Sequence, residues 1–177
     1  MVVIVIGVSG SGKTAVGQAF AARLGWTFED ADDWHPKSNV EKMRSGHPLT
    51  DEDRAPWIGS PHTAIEKWVA EGHDAVLACS ALRASHRLAL RAGMKDPESV
   101  RFVYLKGTYE EIDHRLRQRR GHFMPESLLK SQFETLEEPE ASEALVLGVR
   151  LQVLATVNAI IAGLHLSVSQ LSNTSTS

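Results

Sequence analysis

The amino-acid sequence predicts an α/β fold in which helices flank a five-stranded parallel sheet. Short apolar segments of strand length alternate with longer segments whose apolar residues recur at helical spacing. The first apolar run leads into a glycine-rich loop and then a helix, as in nucleotide-binding α/β proteins. The length of 177 residues suits one hydrophobic core. We therefore expect a single domain over residues 1–166.

The strands are predicted from short runs of apolar residues that could be buried on both faces of a sheet. A parallel sheet covered by helices on both sides favours such continuous runs. The predicted strands are residues 2–6, 26–29, 75–79, 101–105 and about 144–149.

The first two helical regions carry clear end signals. Val16, Phe20 and Leu24 line one face of a helix after the glycine-rich loop, and Gly25 is a suitable stop. Further along, Ser60–Pro61 resembles a helix cap followed by a first-turn proline. We expect a break or a kink in the helix there.

The second half of the chain contains three more predicted helices. Thr108 and Glu111 have the spacing of a capping box. Pro125 suits the first turn of the next helix, and an amphipathic helix is expected over 151–164. The tail at 167–177 is rich in Ser, Thr and Asn, a composition that predicts disorder.

The glycine-rich loop is the most specific motif of the chain. It matches G-x-x-x-x-G-K-[ST] and follows the apolar run at 2–6. Its glycines allow successive main-chain amides to converge on phosphate oxygens, Lys13 can reach the β- and γ-phosphates, and Thr14 can contact Mg²⁺. The alternative is an ordinary Gly/Ser-rich turn. The predicted ATP-binding residues are Gly7, Val8, Ser9, Gly10, Ser11, Gly12, Lys13, Thr14 and Ala15.

Composition narrows the setting. The net charge of −3 and the isoelectric point near 6.2 do not favour a nucleic-acid or membrane partner. No apolar run approaches the length of a membrane span. The single cysteine, Cys79, excludes an intramolecular disulfide and is expected in the core. These features predict a cytoplasmic protein.

The class of phosphate-binding protein follows from what the sequence lacks. It contains neither N-K-x-D nor D-x-x-G, which small GTPases use for guanine recognition and switching, and the strand at 75–79 does not end in an aspartate. The chain is also too short for a transport ATPase or a helicase core. A compact phosphotransferase remains.

An acidic cluster follows the second predicted strand, where open α/β sheets bind ligands. Asp30, Asp32 and Asp33 fall within four residues. A kinase that phosphorylates an alcohol uses one carboxylate to orient the hydroxyl and accept its proton, and another near Mg²⁺. The alternative is a solvated turn that caps the following helix.

A basic cluster occupies the end of the helix that begins after Thr108. Four arginines fall within six residues, a density that favours an anionic ligand such as a triphosphate. Arginines on a mobile lid can neutralise the transferred phosphoryl group and exclude water. The alternative is an ordinary solvated helix end. The four residues are Arg115, Arg117, Arg119 and Arg120.

With these motifs in view, the sequence resembles the gluconokinase family over most of residues 4–139. The resemblance implies the P-loop kinase fold of shikimate and adenylate kinases, a mobile lid over about 115–137, a homodimer, and phosphorylation of D-gluconate to 6-phospho-D-gluconate by ATP with Mg²⁺. The matching stretches are GVSGSGKTAVG, FEDADDWHP, NVEKMRSGHPL, TDEDRAPW, ACSALR, YLKG and HFMPESLLKSQFETLEEP.

The resemblance also implies roles for residues at matching positions. Asp32 would engage the acceptor hydroxyl, and Asp30 and Thr14 would lie near the metal. Arg115 would stack on adenine, and Arg119 or Arg120 would approach the phosphates.

A site for gluconate needs a guanidinium to bind the carboxylate and short polar groups to bind the hydroxyls. Arg54 and Arg83 are the candidates for the carboxylate. Alternatively, Arg54 pairs with an aspartate of its own helix, and each His or Gln is a surface or structural residue. The candidate hydroxyl-binding residues are His35, Ser80, His122 and Gln132.

Two rival functions remain at this stage. One is a shikimate- or nucleotide-directed kinase on the same fold, which a glycine-rich run in place of Cys79–Arg83 would have favoured. The other is an ATP-binding module without turnover, which the presence of Lys13, Thr14 and Asp32 disfavours. Ala15 and Pro61 are departures from the family pattern, and Pro61 leaves the exact placement of Arg54 open.

Overall fold

The computed structural model describes residues 1–118 and 126–167, without the side chains at 44, 51, 54–56 and 58. Its centre is a five-stranded sheet in the order β2-β3-β1-β4-β5, and every strand pair is parallel. The predicted sheet is confirmed, with strand ends that differ by at most one residue. The strands are β1 (Val2–Ile6), β2 (Thr27–Asp30), β3 (Ala75–Cys79), β4 (Val100–Lys106) and β5 (Ala144–Gly148).

Helices connect the strands and cover both faces of the sheet. They alternate with the strands along the chain, as parallel connections require. Short 3₁₀ turns at Ala31–Trp34 and Pro97–Ser99 lie at the end of β2 and before β4. The helices are α1 (Lys13–Leu24), α2 (Lys37–Arg44), α3 (Asp51–Ala70), α4 (Ala84–Leu90), α5 (Tyr109–Gln118), α6 (Glu126–Thr135) and α7 (Val153–Gly163).

The central strand β1 separates two hydrophobic cores. Its five residues are at most 1% exposed. Because successive side chains of a strand point to opposite faces, Val3 and Val5 pack in the core that α1, α5 and α7 cover. The intervening Ile4 packs in the core that contains Trp57 and Ile65 of α3. Burial on both faces explains why β1 is a continuous apolar run.

The register of the strands places the functional loops together. Ile6, the last residue of β1, pairs with Cys79 of β3 on one side and with Tyr104 of β4 on the other. The loops after β1 and β3 therefore leave the sheet at the same carboxyl edge, and β2 ends beside β3. Ligands of open parallel sheets bind at this edge.

Two predicted helix ends are confirmed. Gly25 adopts φ 72° and its amide donates to the carbonyl of Ala21, so a left-handed residue ends α1. At α5, the Thr108 amide donates to Glu111 Oε2 at 2.8 Å and the Glu111 amide donates to Thr108 Oγ1 at 3.3 Å. This is the predicted capping box.

The predicted break at Ser60–Pro61 is wrong, because α3 runs through this point as one helix. An interior proline costs a helix about 3 kcal/mol. Trp57, Pro61 and Ile65 recur at four-residue spacing and are all buried. Burying large apolar side chains stabilises by about 1.5–3 kcal/mol each, which offsets the proline. A bend without a break stays a prediction.

Several predicted features fall outside the described residues, among them Pro125 and positions 168–177 of the tail. Of the described helices, none combines the length and apolar character needed to cross a membrane. Cys79 is fully buried in β3, and its burial raises the pKa of the thiol to about 12. This environment suits the core role predicted for it.

Two helical glycines should respond in opposite ways to the same substitution. A Cβ at Gly17 would lie 2.6 Å from Phe28 Cε2, whereas a Cβ at Gly59 meets no atom within 4 Å. Gly17→Ala should lower the free energy of unfolding by about 1–3 kcal/mol through overpacking. Gly59→Ala should raise it by up to about 1 kcal/mol, because alanine is the better helix former. Urea unfolding followed by tryptophan fluorescence measures both. A stabilising Gly17→Ala would show that β2 does not pack closely on α1.

Candidate active site

The phosphate-binding loop connects β1 to α1 and adopts a backbone that only glycine takes readily. Gly10 and Gly12 have φ of 85° and 99°, in the region that disfavours side chains. A Cβ at Gly10 would lie 2.8 Å from Leu116 Cγ of α5. The loop is therefore packed against α5, and its main chain forms the surface available to phosphate oxygens.

Lys13 is the first residue of α1 and packs against this loop. It is 7% exposed, and its Nζ donates to the carbonyl of Val8 at 3.2 Å. The ammonium group is thus held against the loop that it would share with a triphosphate. Its predicted contact with the β- and γ-phosphates stays a prediction.

A hydrogen bond joins the phosphate-binding loop to the acidic cluster. Thr14 Oγ1 donates to Asp30 Oδ2 at 2.6 Å. The other oxygen of Asp30 accepts from the amide of Asp32 at 3.1 Å and caps the 3₁₀ turn that follows β2. The capping alternative is therefore correct for Asp30, which also contacts Thr14. The Asp32 side chain is 59% exposed, so it is accessible to a ligand.

These oxygens fit Mg²⁺, which prefers oxygen ligands and retains water and substrate phosphates. Among residues 1–118 and 126–167, no group of three or more His, Cys, Asp or Glu is placed to hold a metal ion. The Thr14 hydroxyl and the Asp30 carboxylate supply two adjacent oxygen atoms of the kind that Mg²⁺ binds.

His35 is packed beneath the acidic turn. Its side chain is 5% exposed, and its ring stacks on Trp57 at 4.3 Å between centroids. Trp57 in turn donates from Nε1 to the carbonyl of Ala31 at 2.8 Å. His35 Nε2 lies 3.9 Å from Asp32 Oδ1. This packing favours a structural role for His35 beside Asp32, and its predicted contact with a substrate hydroxyl stays a prediction.

The loop after β3 carries Ser80 and Arg83 at the same edge of the sheet. The carbonyl of Ser80 accepts from the amide of Gly7 at 3.4 Å, which joins this loop to the phosphate-binding loop. Arg83 is the residue that precedes α4. The structure thus brings both predicted substrate residues to the carboxyl edge.

Gln132 occupies a position that the sequence did not predict. It lies on α6, and its Oε1 accepts from the main-chain amide of Ser9 at 2.7 Å. The side chain therefore contacts the phosphate-binding loop itself. The two residues are 123 positions apart, and no spacing rule connects them.

A cavity of about 320 Å³ lies on the other side of the phosphate-binding loop. Its size is at the lower end for small-molecule sites. Arg115 lines it and donates from Nη1 to the carbonyl of Ser11 at 3.2 Å. The connection from β5 to α7 contributes residues that sequence analysis did not single out. These are Gly148, Val149, Leu151 and Val153.

The side chains of four predicted site residues lie outside the described part of the chain. Arg119, Arg120 and His122 lie outside the described residues, and so does the side chain of Arg54, whose backbone lies in the first turns of α3. Arg117 pairs with Asp113 of its own helix at 2.7 Å, as the solvated-helix alternative expects.

Comparisons with known proteins show which family the chain belongs to. A sequence-family profile described as an AAA domain matches residues 2–139. The gluconokinase of Gluconobacter oxydans is 49% identical over 143 residues, which cover 81% of this chain and 79% of the relative. The thermoresistant gluconokinase of Escherichia coli is 43% identical over 146 residues, which cover 82% of each protein.

Solved structures show the same fold. The crystal structure of a gluconokinase from Sinorhizobium meliloti 1021 matches with a TM-score of 0.81 and 40% identity, over 92% of this chain and 90% of that one. A shikimate kinase from Bacteroides thetaiotaomicron matches with a TM-score of 0.64 and 16% identity, over 94% of this chain and 99% of that one. The second likeness concerns the fold alone. The P-loop kinase fold is confirmed, and the chain belongs to the gluconokinase family.

Proposed function

We propose that this protein transfers the γ-phosphoryl group of ATP to the 6-hydroxyl of D-gluconate. The observation that carries the proposal is the Thr14–Asp30 hydrogen bond of 2.6 Å. It joins a phosphate-binding loop to an acidic turn whose Asp32 is exposed. Relatives named gluconokinase are 43–49% identical to this chain over 143–146 residues.

The nucleotide side of the site supplies binding and positive charge. Main-chain amides of residues 7–15 and the N-terminus of α1 attract the phosphates. Lys13 contacts the β- and γ-phosphates, and Arg119 or Arg120 neutralises the transferred group. Arg115 packs on the base, a role supported by its position in the wall of the adjacent cavity.

Mg²⁺, when it accompanies the nucleotide, would be held by Thr14 and Asp30 and would neutralise phosphate charge. The protein residues act on the acceptor. Asp32 orients the 6-hydroxyl and accepts its proton while the oxygen bonds to the γ-phosphorus. The bond from that phosphorus to the bridging oxygen breaks, and ADP leaves with the electron pair.

The proposed acceptor site binds the carboxylate of gluconate and its hydroxyls with different residues. Arg54 and Arg83 pair with its carboxylate, because a guanidinium matches a carboxylate with two hydrogen bonds. Ser80 lies beside Arg83 and binds a hydroxyl. His35 and His122 are proposed for the remaining hydroxyls.

Three further features belong to the proposal, of which the lid and the homodimer rest on the resemblance to the family. Residues 1–166 form one kinase domain whose lid spans about 115–137 and closes over the substrates. Two copies of the chain form a homodimer. The protein works in the cytoplasm, a setting that the single, deeply buried cysteine supports.

ADP release from Mg·ATP with a panel of acceptors tests the function. The panel comprises gluconate, other sugar acids, shikimate and nucleoside monophosphates. Gluconate should give a kcat/KM at least about a hundredfold above the others, because a polar site rejects acceptors that leave its groups unpaired. Comparable turnover of shikimate or a monophosphate would contradict the proposal.

The same assay tests Asp32 against its neighbour Asp33, which is also exposed. Asp32→Asn should lower kcat for gluconate by about a hundredfold or more, because it removes the proton acceptor. Asp33→Asn is the matched control and should stay within about threefold of wild type. Equal effects of the two substitutions would show that the acidic turn acts only through its net charge.

Substitutions of Gln132 test whether this residue contributes to the binding of ATP or of gluconate. Its oxygen contacts the Ser9 amide, so a carboxylate there would repel a triphosphate. Gln132→Glu should raise KM for ATP by about tenfold or more, about 1.4 kcal/mol, and Gln132→Ala should raise it less. Steady-state kinetics with each substrate varied in turn measure this. A change confined to KM for gluconate would instead support the role in hydroxyl binding.

A further inference from the structure

Arg87 is a buried charged residue that the proposed chemistry does not use. It lies on α4 and is 2% exposed. Its Nε and Nη2 donate to the two carboxylate oxygens of Glu143 at 2.7 and 3.1 Å. Its Nη1 lies within hydrogen-bond distance of the carbonyls of Ala81, Leu82 and Glu137, at 3.3, 3.3 and 2.9 Å. One guanidinium therefore contacts three separate parts of the chain.

Stability alone does not account for this arrangement. A buried ion pair carries a desolvation penalty, and apolar residues of similar volume are often as stabilising. What a planar guanidinium adds is several hydrogen bonds in a rigid geometry. The groups to which the Arg87 guanidinium bonds therefore indicate which segments of the chain it positions.

One of them is a strained turn. Ala81 is buried and adopts φ 39°, a left-handed conformation that costs a residue with a Cβ about 1–2 kcal/mol. Strain of this kind persists only when the surroundings hold it in place. Arg87 bonds to the carbonyls of Ala81 and of the next residue, Leu82. The turn lies between Ser80 and Arg83, the proposed substrate residues of this loop.

The other two groups belong to the segment between α6 and β5. The Glu137 amide donates to the Leu82 carbonyl at 2.8 Å, and Glu137 Oε2 accepts from the Ala84 amide at 2.8 Å. Glu143 immediately precedes β5. Arg87 and Glu137 thus join the loop after β3 to the segment at the base of the proposed lid.

We propose that Arg87 is a positioning residue for the acceptor. Arg87 holds the Ala81 turn so that Ser80 and Arg83 face gluconate. The inference rests on the proposed function for the identity of the acceptor and for the roles of Ser80 and Arg83. The turn also reaches the phosphate-binding loop through the Gly7–Ser80 hydrogen bond, but the guanidinium bonds to the carbonyls of Ala81 and Leu82, which lie between Ser80 and Arg83. The effect of Arg87 is therefore on acceptor binding more than on ATP.

Arg87→Lys tests the proposal, because an ammonium group cannot reproduce the set of hydrogen bonds that the planar guanidinium makes. KM for gluconate should rise at least about tenfold, and KM for ATP should stay within about twofold. The matched control is Arg101→Lys, the same substitution at an arginine that pairs with Glu98 at the amino end of β4. It should leave both constants unchanged. Equal changes in the two KM values for Arg87→Lys, or a loss of thermal stability alone, would overturn the proposal.

Rescue separates positioning from general stability. Glycine adopts φ 39° without strain, so Ala81→Gly introduced into Arg87→Lys should recover part of the affinity for gluconate. Absence of recovery overturns the proposal.

If Arg87→Lys does not fold, Glu143→Gln, which keeps one acceptor oxygen, should show the same selective rise in KM for gluconate. No rise overturns the proposal. Should the wild type prefer another acid, the proposed function fails, and the same KM comparison with that acid still tests Arg87.

Discussion

The parallel register of β1, β2 and β3 is the constraint on which the site depends. Their carboxyl ends align at one edge, so the phosphate-binding loop, the acidic turn and the loop after β3 meet there. The Thr14–Asp30 and Gly7–Ser80 hydrogen bonds then join these three segments directly. In the proposed function, an acceptor at the acidic turn would lie opposite the nucleotide, and phosphoryl transfer needs chiefly this placement and charge stabilisation.

Features with a local cause could be predicted from the sequence. Continuous apolar runs predict strands buried on both faces, and β1 is such a strand. The spacing of Thr108 and Glu111 predicts a cap that forms within one turn of helix. The glycine-rich motif predicts the backbone conformation of its loop, because Gly10 and Gly12 adopt a positive φ that glycine takes most readily.

Features that depend on tertiary packing could not be predicted in this way. At Pro61 the local signal indicates a break, but the burial of Trp57 and Ile65 keeps α3 continuous. Gln132 meets Ser9 across 123 residues, and Arg87 meets Glu143 across 56. Neither pair has a spacing that marks it, since only the folded chain brings α6 to the phosphate-binding loop and α4 to the residue before β5.

A crystal structure with a non-hydrolysable ATP analogue, magnesium and gluconate tests the central claim most directly. That claim is that the carboxyl edge of β1 and β2 places donor and acceptor face to face. We expect the triphosphate on the main-chain amides between Gly7 and Thr14, with the 6-hydroxyl of gluconate beside Asp32 and pointing at the γ-phosphate. A triphosphate bound away from this loop, or gluconate bound away from the acidic turn, would contradict it.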